Sequence, residues 1–394
     1  MISFSGYSVD SKISEKEGKL IFRAHRNTDG TAFVLKLPNE ENPLPQTLAR
    51  LRHEYRIVRF LDIEGILKAH CLEEYGNALF IIFEDFHGIT LDEMIRENPF
   101  SQEQFLFLAI EIVEIVRQIH AKQVIHKNLN PSNILYDPDK KLLKIIDFGI
   151  STVLSHENPT LKNPAALEGT LPYISPEQTG RMNRLMDYRT DFYSLGATFY
   201  ELLCGKPPFV SEDPLEIIYG HIAKRPVPLH IQNSSVHPVI SGIVMKLLAK
   251  NAENRYQSAA GIQWDLQQCL HQLKSFGKIE NFTLGCKDKS DRFRIVRKLY
   301  GRQEEIDLLM DAFDNVQAGG GEIFLVAGYS GIGKTTLIKE IHKPVSIHRG
   351  TFISGKFSRY GRDIPYRAFS GAFTELARHL LCEPHQNLEK WRNA

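Results

Sequence analysis

Cysteine is scarce in this 394-residue sequence: Cys71, Cys204, Cys269, Cys286 and Cys382 are scattered, odd in number and never spaced C-x-x-C. That pattern excludes a disulfide framework and a zinc site, and fits a reducing, cytoplasmic setting. Excess charge of one sign is missing too, with 48 Lys+Arg against 47 Asp+Glu and a net charge of +1. No global field therefore draws the chain to nucleic acid or an acidic membrane. Long apolar runs are absent: the stretch from Phe105 to Val116 is broken by Glu111 and Glu114, and is too short to span a bilayer. Met1-Ile2-Ser3-Phe4-Ser5-Gly6 has no basic region leading into an apolar one, so no signal peptide is expected. There is no internal repeat and no low-complexity tract. What remains is ordinary globular composition, 42% hydrophobic and 24% charged, which sets disorder and fibre aside. At roughly 100–200 residues per domain, two or three domains are expected.

The first hundred residues read mainly as strands. Tyr7–Ile13, Lys19–His25 and Ala32–Leu37 alternate in part, with the turn signal Asn27-Thr28-Asp29-Gly30 between the last two. Leu48, Leu51, Tyr55 and Val58 fall at helical spacing, and Ile66–Leu72 and Ala78–Glu84 follow as strands. Ser101 with Gln104 opens a long helix by a capping box. Helical patterns then dominate from about Asp191 to Leu273. A strand-rich lobe followed by a helical lobe is an α+β layout with a cleft between them. Residues 271–298 are mixed and charged, as in Lys287-Asp288-Lys289-Ser290-Asp291-Arg292, and read as a linker. Beyond it come a helix over Glu304–Phe313, an apolar strand at Ile323–Ala327, a glycine-rich turn and a further helix near Thr336, the start of an α/β unit. That unit would be incomplete at Ala394, so the chain is expected to be part of a longer protein.

Three segments carry the chemistry. They are Val124-Ile125-His126-Lys127-Asn128-Leu129-Asn130-Pro131-Ser132-Asn133, then Ile146-Asp147-Phe148-Gly149, then Gly169-Thr170-Leu171-Pro172-Tyr173-Ile174-Ser175-Pro176-Glu177. In order and spacing this set resembles the catalytic loop, D-F-G and A-P-E segments of the eukaryotic-type protein kinases. The resemblance implies a bilobal kinase domain over 1–270, divided near residue 86, that binds ATP with Mg²⁺ and phosphorylates protein Ser/Thr. Phosphoryl transfer is mostly positioning and charge neutralisation. Asp147 and Asn133 offer hard oxygens to Mg²⁺. Lys36 matches the lysine that pairs phosphates, and Glu54 the helix glutamate that orients it. Glu84 and Phe86 fall where the hinge holds adenine. Asp191, Arg255 and Glu177 resemble framework residues, Thr170 is the Ser/Thr-type threonine, and His126 is expected to be packed rather than basic.

Three departures qualify the resemblance. Ser14-Glu15-Lys16-Glu17-Gly18-Lys19-Leu20 holds one glycine where several are expected, and Glu15 and Glu17 would repel phosphate. The catalytic loop reads Asn128-Leu129-Asn130, so the carboxylate base is replaced by Asn128 and the usual lysine by Asn130. Lys127 replaces an arginine, a weaker grip on a phosphorylated activation loop. Asn128 keeps open the alternative of a pseudokinase, an ATP-binding interaction module. The wording around Glu168–Gly196, including Arg181-Met182-Asn183-Arg184, is similar to the large multidomain sensor kinases common in cyanobacteria, where a kinase domain precedes an ATPase domain. A degenerate glycine loop and Asn at position 130 are usual in that subgroup.

Gly328-Tyr329-Ser330-Gly331-Ile332-Gly333-Lys334-Thr335 fits G-x-x-x-x-G-K-[ST] without mismatch, after a predicted strand and before a predicted helix. Gly328, Gly331 and Gly333 would shape a phosphate cradle completed by Thr336, with Lys334 on the β/γ oxygens and Thr335 on Mg²⁺. Leu299-Tyr300-Gly301-Arg302-Gln303-Glu304-Glu305 resembles the opening of AAA/STAND-type signalling ATPases, so 299–394 is expected to be the first part of a P-loop ATPase domain. No apolar run ending in paired Asp/Glu follows Thr336, so hydrolysis there is not expected. The expected partner is a protein substrate or signalling protein.

Overall fold

A computed structural model describes residues 6–376 apart from 17, 41, 98–99, 155–167, 181–185, 290–300, 330–331, 342–343, 346–351, 354, 356–365, 367, 371 and 375. Strands β1 (Tyr7–Lys16), β2 (Lys19–Arg26), β3 (Ala32–Pro38), β4 (Ala69–Tyr75) and β5 (Ala78–Glu84) form one antiparallel sheet in the order β1-β2-β3-β5-β4. The two-residue alternation of β3 explains its two burials. Phe33, Leu35 and Leu37 face a small core with Phe22, Ala24, Phe80 and Ile82. Val34 faces the larger core, and Lys36, two residues on, shares its side of the strand.

Between β3 and β4 runs helix α1 (Pro45–Leu61), with Pro45 in its first turn, where a missing N–H costs nothing. Its buried face is Leu51, Glu54, Ile57, Val58 and Leu61. Helical spacing thus carries Glu54 inward beside leucines and valine. The sequence expected a strand from Ile66, but Ile66 makes only an isolated bridge to Ile145, and β4 begins at Ala69.

The helical lobe opens with β6 (Ile89–Thr90), α2 (Leu91–Glu97) and α3 (Gln102–Ala121). Ser101 accepts a hydrogen bond from the Gln104 amide, and the Gln104 side chain accepts one from the Ser101 amide, the capping box read from sequence. Short strands β7 (Val124–Ile125), β8 (Ile134–Asp137), β9 (Leu142–Ile145) and β10 (Thr152–Val153) carry the loops of the cleft. Helices α4 (Arg189–Cys204), α5 (Pro214–Ile222), α6 (Leu229–Gln232), α7 (Pro238–Leu247) and α8 (Ala259–Phe276) complete the lobe around a core that includes Phe105, Ile112, Phe192, Phe199 and Ile262.

The charged stretch after α8 packs back on the helical lobe. Ile279 is buried, and Phe282 and Leu284 pack against the same core. The Asp288 carboxylate accepts the amides of Gln257 (2.8 Å) and Ser258 (2.9 Å) at the start of α8. Farther on, α9 (Gln303–Gln317) covers the helix expected at Glu304–Phe313, and α10 (Lys334–Lys339) starts two residues earlier than expected. The predicted strand at Ile323–Ala327 is a correction. The segment forms no strand, and Ile323 and Leu325 are 90% and 88% exposed. A strand exists through a neighbour's hydrogen bonds, and none of the described residues supplies that neighbour. No helix among the described residues is long and apolar enough to cross a membrane.

Candidate active site

The Lys36 ammonium donates to both oxygens of Glu54 at 2.6 and 2.8 Å, and to Asp147 Oδ1 at 2.9 Å. Lys36 and Glu54 are both buried, so a strand residue and a helix residue are joined to the loop after β9. Burial alone would lower the Lys36 pKa, but Asp147 and Glu54 outweigh it and raise it above the ordinary lysine range. Burial would raise the Asp147 pKa, yet Lys36 and Lys19 hold it far below the usual carboxylate range. The cleft floor therefore carries a fixed ammonium and a fixed carboxylate side by side.

The loop that presents these groups is strained and pinned. Lys127 and Asp147 have φ of 68° and 70°, the left-handed region that non-glycine residues avoid. Fully buried Asp191 holds the first of these turns, accepting the amides of His126 (2.9 Å) and Lys127 (2.8 Å). The fully buried His126 ring packs edge-on to Phe148 at 4.5 Å. Its Nδ1 accepts the Asn128 amide at 3.2 Å while Nε2 lies 3.0 Å from the Ile146 carbonyl. That places the proton on Nε2 and makes the ring a neutral spacer, its pKa lowered by burial.

Asn128 stands at the centre. Its Nδ2 donates to Asp147 Oδ2 at 3.1 Å, and its Oδ1 accepts from the Thr170 hydroxyl at 2.9 Å and the Thr170 amide at 3.2 Å. A carboxylate can only accept and an amide N–H can only donate, so the orientation of the Asn128 side chain is fixed by its partners. Asn130 caps the short 3₁₀ turn Pro131–Asn133 and donates to the Asn128 carbonyl at 3.0 Å. Asn133 donates to that same carbonyl at 2.8 Å, which leaves its own carboxamide oxygen as a metal donor.

The other positions singled out in the sequence lie at the edges. The Glu84 carboxylate accepts from Lys144 at 2.7 Å and the Lys68 amide at 2.9 Å, and the Glu84 amide donates to the Lys68 carbonyl at 2.9 Å. Phe86 packs against the main core with Lys144 over its ring at 5.8 Å. Glu177 receives Arg255 in a fork of 2.7 and 2.8 Å.

Two contacts bear on the departures. Lys127, buried, pairs with Glu168 at 3.0 Å, so the position of the missing arginine already holds a carboxylate supplied by the chain itself. Glu15 is engaged by Lys12 and by Asn39, which tempers the repulsion expected of it, whereas Glu17 lies outside the described residues.

One residue escaped the sequence reading. Lys19, at the start of β2, donates to Asp147 Oδ1 at 2.8 Å. The available signal was a lysine just past the turn where glycines were expected, but its reach into the cleft depends on how the lobes close.

In the second region the Lys334 ammonium folds back onto the carbonyls of Gly328 and Tyr329, both at 2.7 Å. Gly328 and Gly333 have φ of 156° and 93°. Gly331 lies outside the described residues, and the backbones of Thr335 and Thr336 lie in α10.

Residues 7–271 match the family described as protein kinase domain, and residues 298–394 match the AAA ATPase domain. The chain belongs to the protein kinase family, with an AAA ATPase region following. It is 38% identical over 245 residues to hybrid signal transduction histidine kinase G of Dictyostelium discoideum, covering 57% of this chain and 7% of that protein. It is 34% identical over 227 residues to serine/threonine-protein kinase PknB of Mycolicibacterium smegmatis, covering 56% and 36%. The probable serine/threonine-protein kinase SCO3848 of Streptomyces coelicolor is 30% identical over 256 residues, covering 64% and 38%. The chain thus spans well under half the length of these relatives.

Proposed function

We propose that the cleft binds ATP with Mg²⁺ and transfers the γ-phosphoryl group to Ser/Thr of a protein, slowly, within a cytoplasmic multidomain signalling protein. The observation that carries this reading is the joined set Lys36–Glu54–Asp147, in which β3, α1 and the D-F-G loop meet within hydrogen-bond distance. Lys36, already oriented by Glu54, would meet phosphate oxygens. Asp147 and Asn133 suit Mg²⁺ because both offer hard oxygen. No group of three His, Cys, Asp or Glu suited to a metal occurs among the described residues, and Mg²⁺ needs only one or two carboxylates beside phosphate and water. Bound Mg²⁺ would offset charge on the transferring phosphate. The backbone of Glu84 to Phe86 would meet the adenine.

Asn128 supports a second reading, a pseudokinase. Its Oδ1 can orient a substrate hydroxyl, but an amide has no useful basicity, and its Nδ2 already donates to Asp147. The P-loop would bind a second ATP through Lys334, Thr335 and the turn before them.

The test is a thermal-shift series with Mg·ATP on the full chain carrying Lys334→Ala, which silences the P-loop. Ligand that binds only the folded state raises the melting temperature. Stabilisation should appear in Lys334→Ala and vanish when Asp147→Ala is added. No stabilisation at millimolar nucleotide would refute ATP binding in the cleft.

A further inference from the structure

The hairpin that replaces a glycine-rich loop is tight. Lys16 pairs directly with Lys19 across a turn in which Gly18 has φ of 72°, and the Gly18 carbonyl is held by the Asn39 amide at 2.8 Å. Lys19 is anchored on its other side by pairing with Pro38 of β3. Its backbone is therefore fixed by the sheet, and only its four-carbon stem reaches into the cleft.

That stem now points down. Asp147 Oδ1 takes Lys19 at 2.8 Å and Lys36 at 2.9 Å, and Oδ2 takes Asn128 at 3.1 Å. Two ammoniums fill the acceptor positions of Oδ1, so a cation that coordinates this oxygen must displace one of them. The two are unequal. Lys36 is buried and also gripped by both Glu54 oxygens at 2.6 and 2.8 Å. Lys19 is 35% exposed, and among the described residues its ammonium donates to Asp147 alone. Lys19 is the one that leaves.

We propose that Lys19 is a phosphate-binding residue of the cleft: when Mg·nucleotide loads, its ammonium transfers from Asp147 to the nucleotide phosphates, supplying the positive charge that this hairpin lacks in glycine-loop amides. The inference deepens the ATP-binding reading above and rests on it. Its chemistry is selective, because the ammonium's charge favours anionic phosphate over the neutral base and ribose. Lys19 also explains how a hairpin without several glycines can tolerate a polyanion beneath it.

Calorimetric titration of the full chain carrying Lys334→Ala with adenosine, ADP and ATP, each with Mg²⁺, tests this against added Lys19→Met and Lys19→Arg. Lys19→Gln serves as a second charge-removing variant should Met disturb the hairpin. Removing the charge should weaken ATP and ADP by about ten- to a hundredfold, the worth of a hydrogen bond to a charged group. Adenosine should stay within about twofold, the scatter of a surface substitution, and Lys19→Arg should recover most of the loss. An equal loss for adenosine would make Lys19 merely structural and overturn the inference. Tighter ATP binding would overturn it too, by showing that Lys19 only competes for Asp147. No ATP binding with Lys19 intact would defeat the underlying reading as well.

Discussion

At residue 128 the difference between an amide and a carboxylate is one of sign. Asn128 Nδ2 donates to Asp147 Oδ2 at 3.1 Å; an aspartate there would bring two carboxylates together, which disfavours ionising both. Asn128→Asp should therefore lower the melting temperature of the nucleotide-free chain at pH 7 by roughly 2–4 °C, the effect of about 1 kcal/mol. Mg·ATP should recover more of that loss than it adds to the parent, because a divalent cation between the carboxylates offsets their repulsion. A variant equally stable without nucleotide would show that the 3.1 Å contact has no weight. The Glu177–Arg255 fork gives a second residue-scale outcome. Burial alone would raise the Glu177 pKa, but Arg255 outweighs it and lowers it. A carboxylate so held stabilises the fold above its unfolded pKa of about 4.3, and that stability is lost as pH falls through the depressed folded value. Arg255→Met strands a buried carboxylate and should cost about 3–5 kcal/mol at pH 7. Adding Glu177→Gln should restore part of it, and denaturant melts at pH 7 and pH 4 should show the single variant losing less on acidification than the parent. If the double variant is no more stable than Arg255→Met alone, the unpaired charge is not the cause.

Elements were legible where their period carries information over a few residues. Lys36 follows Val34 on one face of β3, and Glu54 shares the buried face of α1 with Leu51 and Val58. Local spacing thus brings both toward the cleft before any tertiary contact is known. The Ser101 capping box was legible for the same reason. Elements that depend on distant partners were not. Ile323–Ala327 has strand composition but no strand beside it among the described residues. Residues 277–289 have a linker's charge, yet Ile279 is buried and Asp288 accepts the amides of Gln257 and Ser258, about 30 residues earlier, just ahead of α8. The contact of Lys19 with Asp147 joins residues 128 apart in sequence and is invisible to any local pattern. Asp288→Ala tests the tail as an element. Losing these hydrogen bonds to a charged group should cost about 1.5–3 kcal/mol, seen as a lower denaturant midpoint with faster amide exchange at Gln257 and Ser258. Unchanged exchange at those amides would deny the tail its role as a clasp.

At the scale of the whole molecule, a kinase fold in which Lys36, Glu54 and Asp147 are joined is combined with a loop that carries Asn128 where a carboxylate is expected. The transition state of phosphoryl transfer is loose, so positioning and charge neutralisation, which Lys36, Asp147 and Asn133 can serve, account for much of the barrier lowering. Slow transfer rather than none is therefore expected. The direct measurement is phosphate incorporation from γ-labelled ATP by the full chain carrying Lys334→Ala, alone and with Asn128→Asp or Asp147→Ala added. Transfer should run well below the ordinary kinase range of roughly 1–100 per second, rise about ten- to a thousandfold with Asn128→Asp, within the reach of a general base, and disappear with Asp147→Ala. A parent that already works at the ordinary rate, or an Asn128→Asp variant that binds ATP yet transfers no faster, would contradict it.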